Sequence, residues 1–75
     1  YVYWYKHYNI KDQARIYLNG REIFDTGCIG TGNNGEKTKA LHELSGGGQV
    51  TIIIDPKCDP SDSSSTKWQF KLSCP

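Results

Sequence analysis

The sequence predicts an all-β domain: a compact antiparallel two-sheet β-sandwich, or small jelly roll, of about six strands. Three observations carry that expectation. Apolar and polar residues alternate cleanly over 49–55 and 66–74, the period of a half-buried strand. Asn19-Gly20 stands between two β-rich runs, and both residue types accept the positive φ that a tight hairpin requires. Glycine- and serine-rich connectors at Gly27 to Gly35, Ser45 to Gly48 and Asp59 to Ser65 break the chain at short intervals, and no long helical period spans them.

The first expected strand is residues 1–8. Tyr1-Val2-Tyr3-Trp4-Tyr5 is aromatic or apolar at both parities. Alternation is read as placing Val2 and Trp4 inward, with Tyr1, Tyr3 and Tyr5 as an aromatic stripe on the outer face. Asp12 opens the second strand. Residues 15–18 and 21–25 flank the Asn19-Gly20 turn. Residues 37–44 fit two patterns: Ala40, Leu41 and Leu44 have helical spacing, while Ala40, His42 and Leu44 alternate. A strand is preferred there because the remaining elements are all β. In 49–55, Val50, Ile52 and Ile54 face inward and Gln49, Thr51 and Asp55 outward. Ile53 interrupts the outer row, which implies some cover on that face, and Asp55-Pro56 ends the strand because proline cannot donate to a ladder. In 66–74, Trp68, Phe70, Leu72 and Cys74 share one face against Lys67, Gln69, Lys71 and Ser73. This last strand is expected to pair with 49–55 as an antiparallel hairpin.

Seventy-five residues make one domain, 1–75. A chain of this length buries about 60–65% of its unfolded surface, so a disulfide, a metal ion or a partner subunit is expected to supplement the core. Nine basic and eight acidic residues are well mixed and leave a net charge of +1, which argues against the clustered Lys and Arg of a nucleic-acid interface. No apolar run approaches the ~20 residues of a membrane span. The chain opens directly on Tyr1 without the features of a leader, as a mature product or an excised piece would. Three cysteines in so short a chain point to an oxidising, extracellular compartment. Cys28 follows the third strand and Cys58 the fifth, so both fall at one end and are expected to be joined. In the expected hairpin, Cys58 and Cys74 stand roughly 20 Å apart, beyond the ~7 Å between Cα atoms that a disulfide tolerates. Cys74 is then left buried or available to another chain.

Catalysis finds little support in the residue pattern. Asp25-Thr26-Gly27 matches the triplet of aspartic proteases, but those enzymes need two carboxylates sharing a proton in a pocket built by far more chain. A strand end turning into a glycine loop explains the triplet better. No nucleophile elbow surrounds any serine, His42 reads as a solvated sheet residue rather than a ligand, and His7, next to Lys6, offers no better metal site. Asp12, Asp25 and Asp55 lie at strand ends that alternation brings to one end of the sandwich, a candidate Ca²⁺ site weighed against plain turn-capping carboxylates. No cofactor is required by the pattern. Tyr1, Tyr3, Trp4 and Tyr5 are the candidate binding or assembly residues, since exposed rings stack on sugars or anchor interfaces. The terminal strand lacks the charge, proline or bulge that normally protects an edge, so it is expected to pair with a copy of itself.

The stretch His7 to Gly20, followed by Ile23-Phe24-Asp25-Thr26-Gly27, resembles a recurrent extracellular β-sandwich module of secreted, cell-surface and phage structural proteins. In that module a short strand leads to an Asp, then to an NG hairpin ending in Asp-Thr-Gly. The closing strand Trp68-Gln69-Phe70-Lys71-Leu72-Ser73-Cys74-Pro75 is similar to its alternating Trp strand, while Lys11 stands where the module has proline. The resemblance implies adhesion, display or assembly, and no catalytic residues. Taken together, the expectation is a secreted, self-associating structural or adhesive subunit of a filament, surface layer or virion surface. The competing expectations are a lectin-like module that binds glycan, with or without Ca²⁺, and a small secreted toxin or effector.

Overall fold

A computed structural model describes residues 1–32, 34–56, 58–59 and 68–73. Six strands follow in order: β1 (Val2–Lys6), β2 (Gln13–Leu18), β3 (Arg21–Asp25), β4 (Lys37–Ala40), β5 (Val50–Asp55) and β6 (Gln69–Ser73). They form two three-stranded antiparallel sheets with strand orders β4-β1-β6 and β3-β2-β5. The sandwich expected from alternation is therefore the fold.

The Asn19-Gly20 turn is a two-residue hairpin joining β2 to β3, with φ of 53° at Asn19 and 84° at Gly20. Positive φ at both central residues is the geometry whose twist matches the flanking strands. Asn19 also holds β5: its side-chain oxygen accepts from the Gln49 N–H at 2.9 Å, and its own N–H donates to the Gln49 carbonyl at 2.9 Å. Residues 37–44 combine both of their sequence patterns. The strand ends at Ala40, and a short 3-10 helix (His42–Gly46) follows, which puts the exposed His42 on that helix and not on a strand. The turn is local and tight, and it drives Leu41 and Leu44 into the interior.

Two expectations about pairing are overturned. Residues of β5 and β6 do not form a hairpin: β5 pairs with β2, and β6 pairs with β1, in different sheets. The connection over residues 56–68 far exceeds the two to five residues that force a tight hairpin, so each strand is free to join the central strand of its own sheet. Equally, β1 is no edge. It lies between β4 and β6, and both its backbone sides are used.

The parity of β1 is also the reverse of the expected one. Tyr3 and Tyr5 are buried, while Val2 is exposed and Trp4 lies on the outer face. A strand with large side chains at both parities gives alternation nothing to decide on. Ring packing decides instead: Tyr3 stacks on Tyr5 at 5.4 Å, and Phe24 of β3 meets both rings at 6.3 Å. Ala14 and Ile16 of β2 complete the core with Leu41 and Leu44.

Beyond β1 the chain turns sharply at Tyr8, whose φ is 61°. The Thr31 hydroxyl secures this turn, accepting from the backbone N–H of His7 at 3.0 Å and of Tyr8 at 3.2 Å. His7 packs beside Tyr5, with ring centres 5.1 Å apart. It is buried, and Nδ1 lies 3.1 Å from the Ile29 carbonyl, which can only accept, so Nδ1 donates.

Candidate interaction surface

Cys28 and Cys58 form the expected disulfide, with Cα atoms 5.9 Å apart. The bridge joins the chain leaving β3 to the chain leaving β5, and the Cys58 N–H donates to the Lys11 carbonyl at 3.2 Å. All three strands of that sheet are thereby gathered at one end. Cys74 lies outside the described residues. Cys28 and Cys58 fall at one end as expected, whereas β5 and β6 form no hairpin.

Asp12, Asp25 and Asp55 do mark the same end of the β3-β2-β5 sheet. Asp12 is buried, and its backbone exchanges both hydrogen bonds with Ile29 at 3.1 Å. Asp25 accepts from the Gly27 N–H at 2.8 Å and from the Gln13 side-chain amide at 2.9 and 3.2 Å, with Arg15 Nε 3.5 Å away. The Gly27 N–H first, then Gln13 and Arg15, hold its carboxyl below the usual carboxylate range. This is a carboxylate closing a turn, the bland reading of the Asp-Thr-Gly triplet. Thr26 adds to it, its hydroxyl accepting from the Ala14 N–H at 3.0 Å. Asp55 stands exposed opposite Gln13. Among the described residues, no group of three or more His, Cys, Asp or Glu side chains could hold a metal ion.

Of the candidate assembly residues, Tyr3 and Tyr5 are in the core and Tyr1 packs partly against it. Trp4 alone faces outward, with Lys71 Nζ of β6 5.4 Å from its ring centre. The aromatic stripe on the surface therefore does not exist.

The sheet edges supply a different surface. Lys39 of β4 reaches over the Phe24 ring of β3 at 5.7 Å, so β4 and β3 border one flank of the sandwich, which leaves β5 and β6 on the other. The β3/β4 flank is guarded. β3 carries Arg21, Glu22 and Asp25, and its register with β2 slips between Ile16 and Tyr17, so Ile23 forms a bulge. β4 reads Lys-Thr-Lys-Ala. Charge and bulges are the usual devices that stop strand edges from pairing.

The β5/β6 flank is guarded far less. Val50-Thr51-Ile52-Ile53-Ile54 carries no charge, and β6 carries Lys71 alone. Ile53 is 48% exposed on the outer face, so the cover expected there is missing within the described chain. Val50, Phe70, Leu72 and Trp68 are each more than a third exposed, although Phe70 and Leu72 belong to the apolar row of β6 and Trp68 directly precedes that strand. Trp68 and Phe70 stack on each other at 6.1 Å, and Phe70 reaches Tyr3 at 6.0 Å, so this row is continuous with the core. Sequence reading missed this flank because it assigned β5 and β6 to each other. The available signal was the charge-free run Val50 to Ile54, with Ile53 out of phase.

No helix among the described residues is long and apolar enough to cross a membrane. No family model, curated protein or solved structure matches the chain.

Proposed function

We propose that this domain is a non-catalytic structural or adhesive module that works outside the cytoplasm by associating with copies of itself. The observation that carries the proposal is the contrast between the flanks: β3 and β4 bear charges and a bulge, whereas Val50 to Ile54 of β5 form a charge-free, β-branched run ahead of Asp55. An unguarded edge of this composition templates a further strand. The Cys28–Cys58 disulfide supports an oxidising compartment, where such bonds persist. The resemblance to extracellular assembly modules agrees with this reading. So does the use of the Asp25 carboxylate to close its turn.

A second reading has one observation in its favour. Trp4 faces outward from the middle of its sheet beside Lys71, an arrangement that suits stacking on a sugar ring. The self-association reading is preferred because Lys71 already engages the Trp4 ring, while the β5 edge has no partner among the described residues.

Native mass spectrometry of the purified protein, with a polysaccharide-retention assay alongside, separates the two. Self-association predicts species above the monomer mass of 8.5 kDa. A monomer at high micromolar concentration that is retained on polysaccharide would replace it with the glycan reading.

A further inference from the structure

We infer that the self-association proposed above begins as a two-fold dimer in which β5 pairs antiparallel with β5 of a second copy, centred on Ile52. The inference rests on that proposal and adds to it the strand, the register and the closure.

Backbone direction fixes which groups β5 offers. The Asn19 N–H donates to the Gln49 carbonyl, and the ladder continues with Leu18 opposite Val50 and Tyr17 opposite Thr51. In an antiparallel ladder, hydrogen-bonded and non-hydrogen-bonded pairs alternate. Gln49, Thr51, Ile53 and Asp55 therefore spend their N–H and C=O groups on β2. Val50, Ile52 and Ile54 turn theirs toward the edge, where no strand lies beside β5 among the described residues. The same rule agrees on the far side of β2, where the Ala14 carbonyl accepts from the Thr26 N–H at 3.0 Å, toward β3.

The open groups are self-complementary. With Ile52 opposite Ile52 of the second copy, Val50 meets Ile54 and Ile54 meets Val50, so the edge-facing N–H and C=O groups of these residues are all matched. Directly opposed residues share a face of the sheet, so a two-fold pairing must put some residue opposite itself. Centring on Ile53 instead would set Val50 against Pro56, which has no N–H to give. Centring on Thr51 would set Ile54 against Gly48 and leave the apolar run out of phase. In the favoured register the outer faces bring Thr51 beside Ile53 of the second copy, covering the most exposed isoleucine. No charged residue opposes a like charge, because Asp55 falls opposite Gln49. A second copy is the occupant argued for because this strand matches itself, and because the charged, bulged opposite flank cannot repeat the contact. The assembly therefore closes at two through this edge.

Cysteine cross-linking tests the register in a Cys74→Ser background, so that no native free thiol competes. Thr51→Cys and Ile53→Cys proteins are prepared separately, then mixed under mild oxidation, with native mass recorded on the parent. The mixture is expected to form a 51–53 cross-linked dimer, because opposed non-hydrogen-bonded pairs lie about 4.5 Å apart between Cα atoms. Thr51→Cys alone should cross-link several-fold less, its diagonal spacing being about 7–8 Å. Cross-linking of Ile53→Cys alone that matches or exceeds the mixture would overturn the register. A parent that is oligomeric without any 51–53 product would overturn the β5 interface while leaving self-association standing. A parent that is monomeric at high micromolar concentration would overturn both.

Discussion

Tyr3 lies at the centre of the ring cluster with its hydroxyl buried and without a hydrogen-bond partner among the described residues. Burial first, and then the neighbouring Tyr5, push its phenol pKa up to about 12 from an ordinary 10. Tyr5 is shifted in the same direction by burial. The sign follows from linkage: the folded state holds the phenol proton more tightly than the unfolded chain does. Stability from this source is intact below pH 10 and is lost progressively as pH rises from 10 through 12. Tyr3→Phe keeps the stacked ring and removes the unpartnered hydroxyl. Its unfolding free energy at pH 7 should therefore be unchanged or up to about 1 kcal/mol higher. Above pH 10 it should fall less steeply than that of the native protein, with Tyr5 leaving a residual slope. Urea denaturation between pH 7 and 11 checks both. Destabilisation at pH 7 by more than about 1 kcal/mol would show that the hydroxyl has a partner after all.

Single elements were legible where their information is local. Asn19 and Gly20 specify their turn by backbone preference alone, and residues 50–55 and 69–73 announce strands by period two. Pairing was not legible, because it depends on which long-range partner offers the larger burial. Nothing within 56–68 says that β6 must travel to β1. Facing failed for a related reason: Tyr1 to Tyr5 offer large side chains at both parities, and the choice is made by Phe24, nearly twenty residues downstream. The candidate surface moved with these two errors, from the β1 rings to the β5 edge. The disulfide was found because it needed the ends of strands and not their partners. It closes a sequence separation of 30, for which chain entropy gives roughly 3–4 kcal/mol. The Cys28→Ala/Cys58→Ala protein should lose about that much, a large share for a core of this size. Equilibrium urea unfolding of the double variant checks this, and a loss below about 1 kcal/mol would mean that the end of the sheet is held by its backbone bonds without the bridge.

At the scale of the whole molecule, one flank is closed by charge and a bulge, and the other carries an apolar strand whose edge-facing backbone groups, unpaired by any strand among the described residues, match their own two-fold image. The β5 edge matches itself, and an edge that pairs with itself is consumed in a dimer. Any larger assembly then needs a second surface, for which the outward Trp4 face is placed. Substitution of Val50 isolates the edge from the fold. Its N–H faces away from β2, so proline there removes an edge donor and adds a clashing ring while sparing the β2–β5 ladder. Its side chain is already 37% exposed, so little core packing is lost. Sedimentation equilibrium of the native protein and Val50→Pro, over a range from about 1 to several hundred micromolar, reads the outcome directly. The account predicts a concentration-dependent dimer for the native protein and a monomer for Val50→Pro, with unchanged far-UV circular dichroism. A native protein that stays monomeric throughout, or a folded Val50→Pro that dimerises equally well, would contradict it.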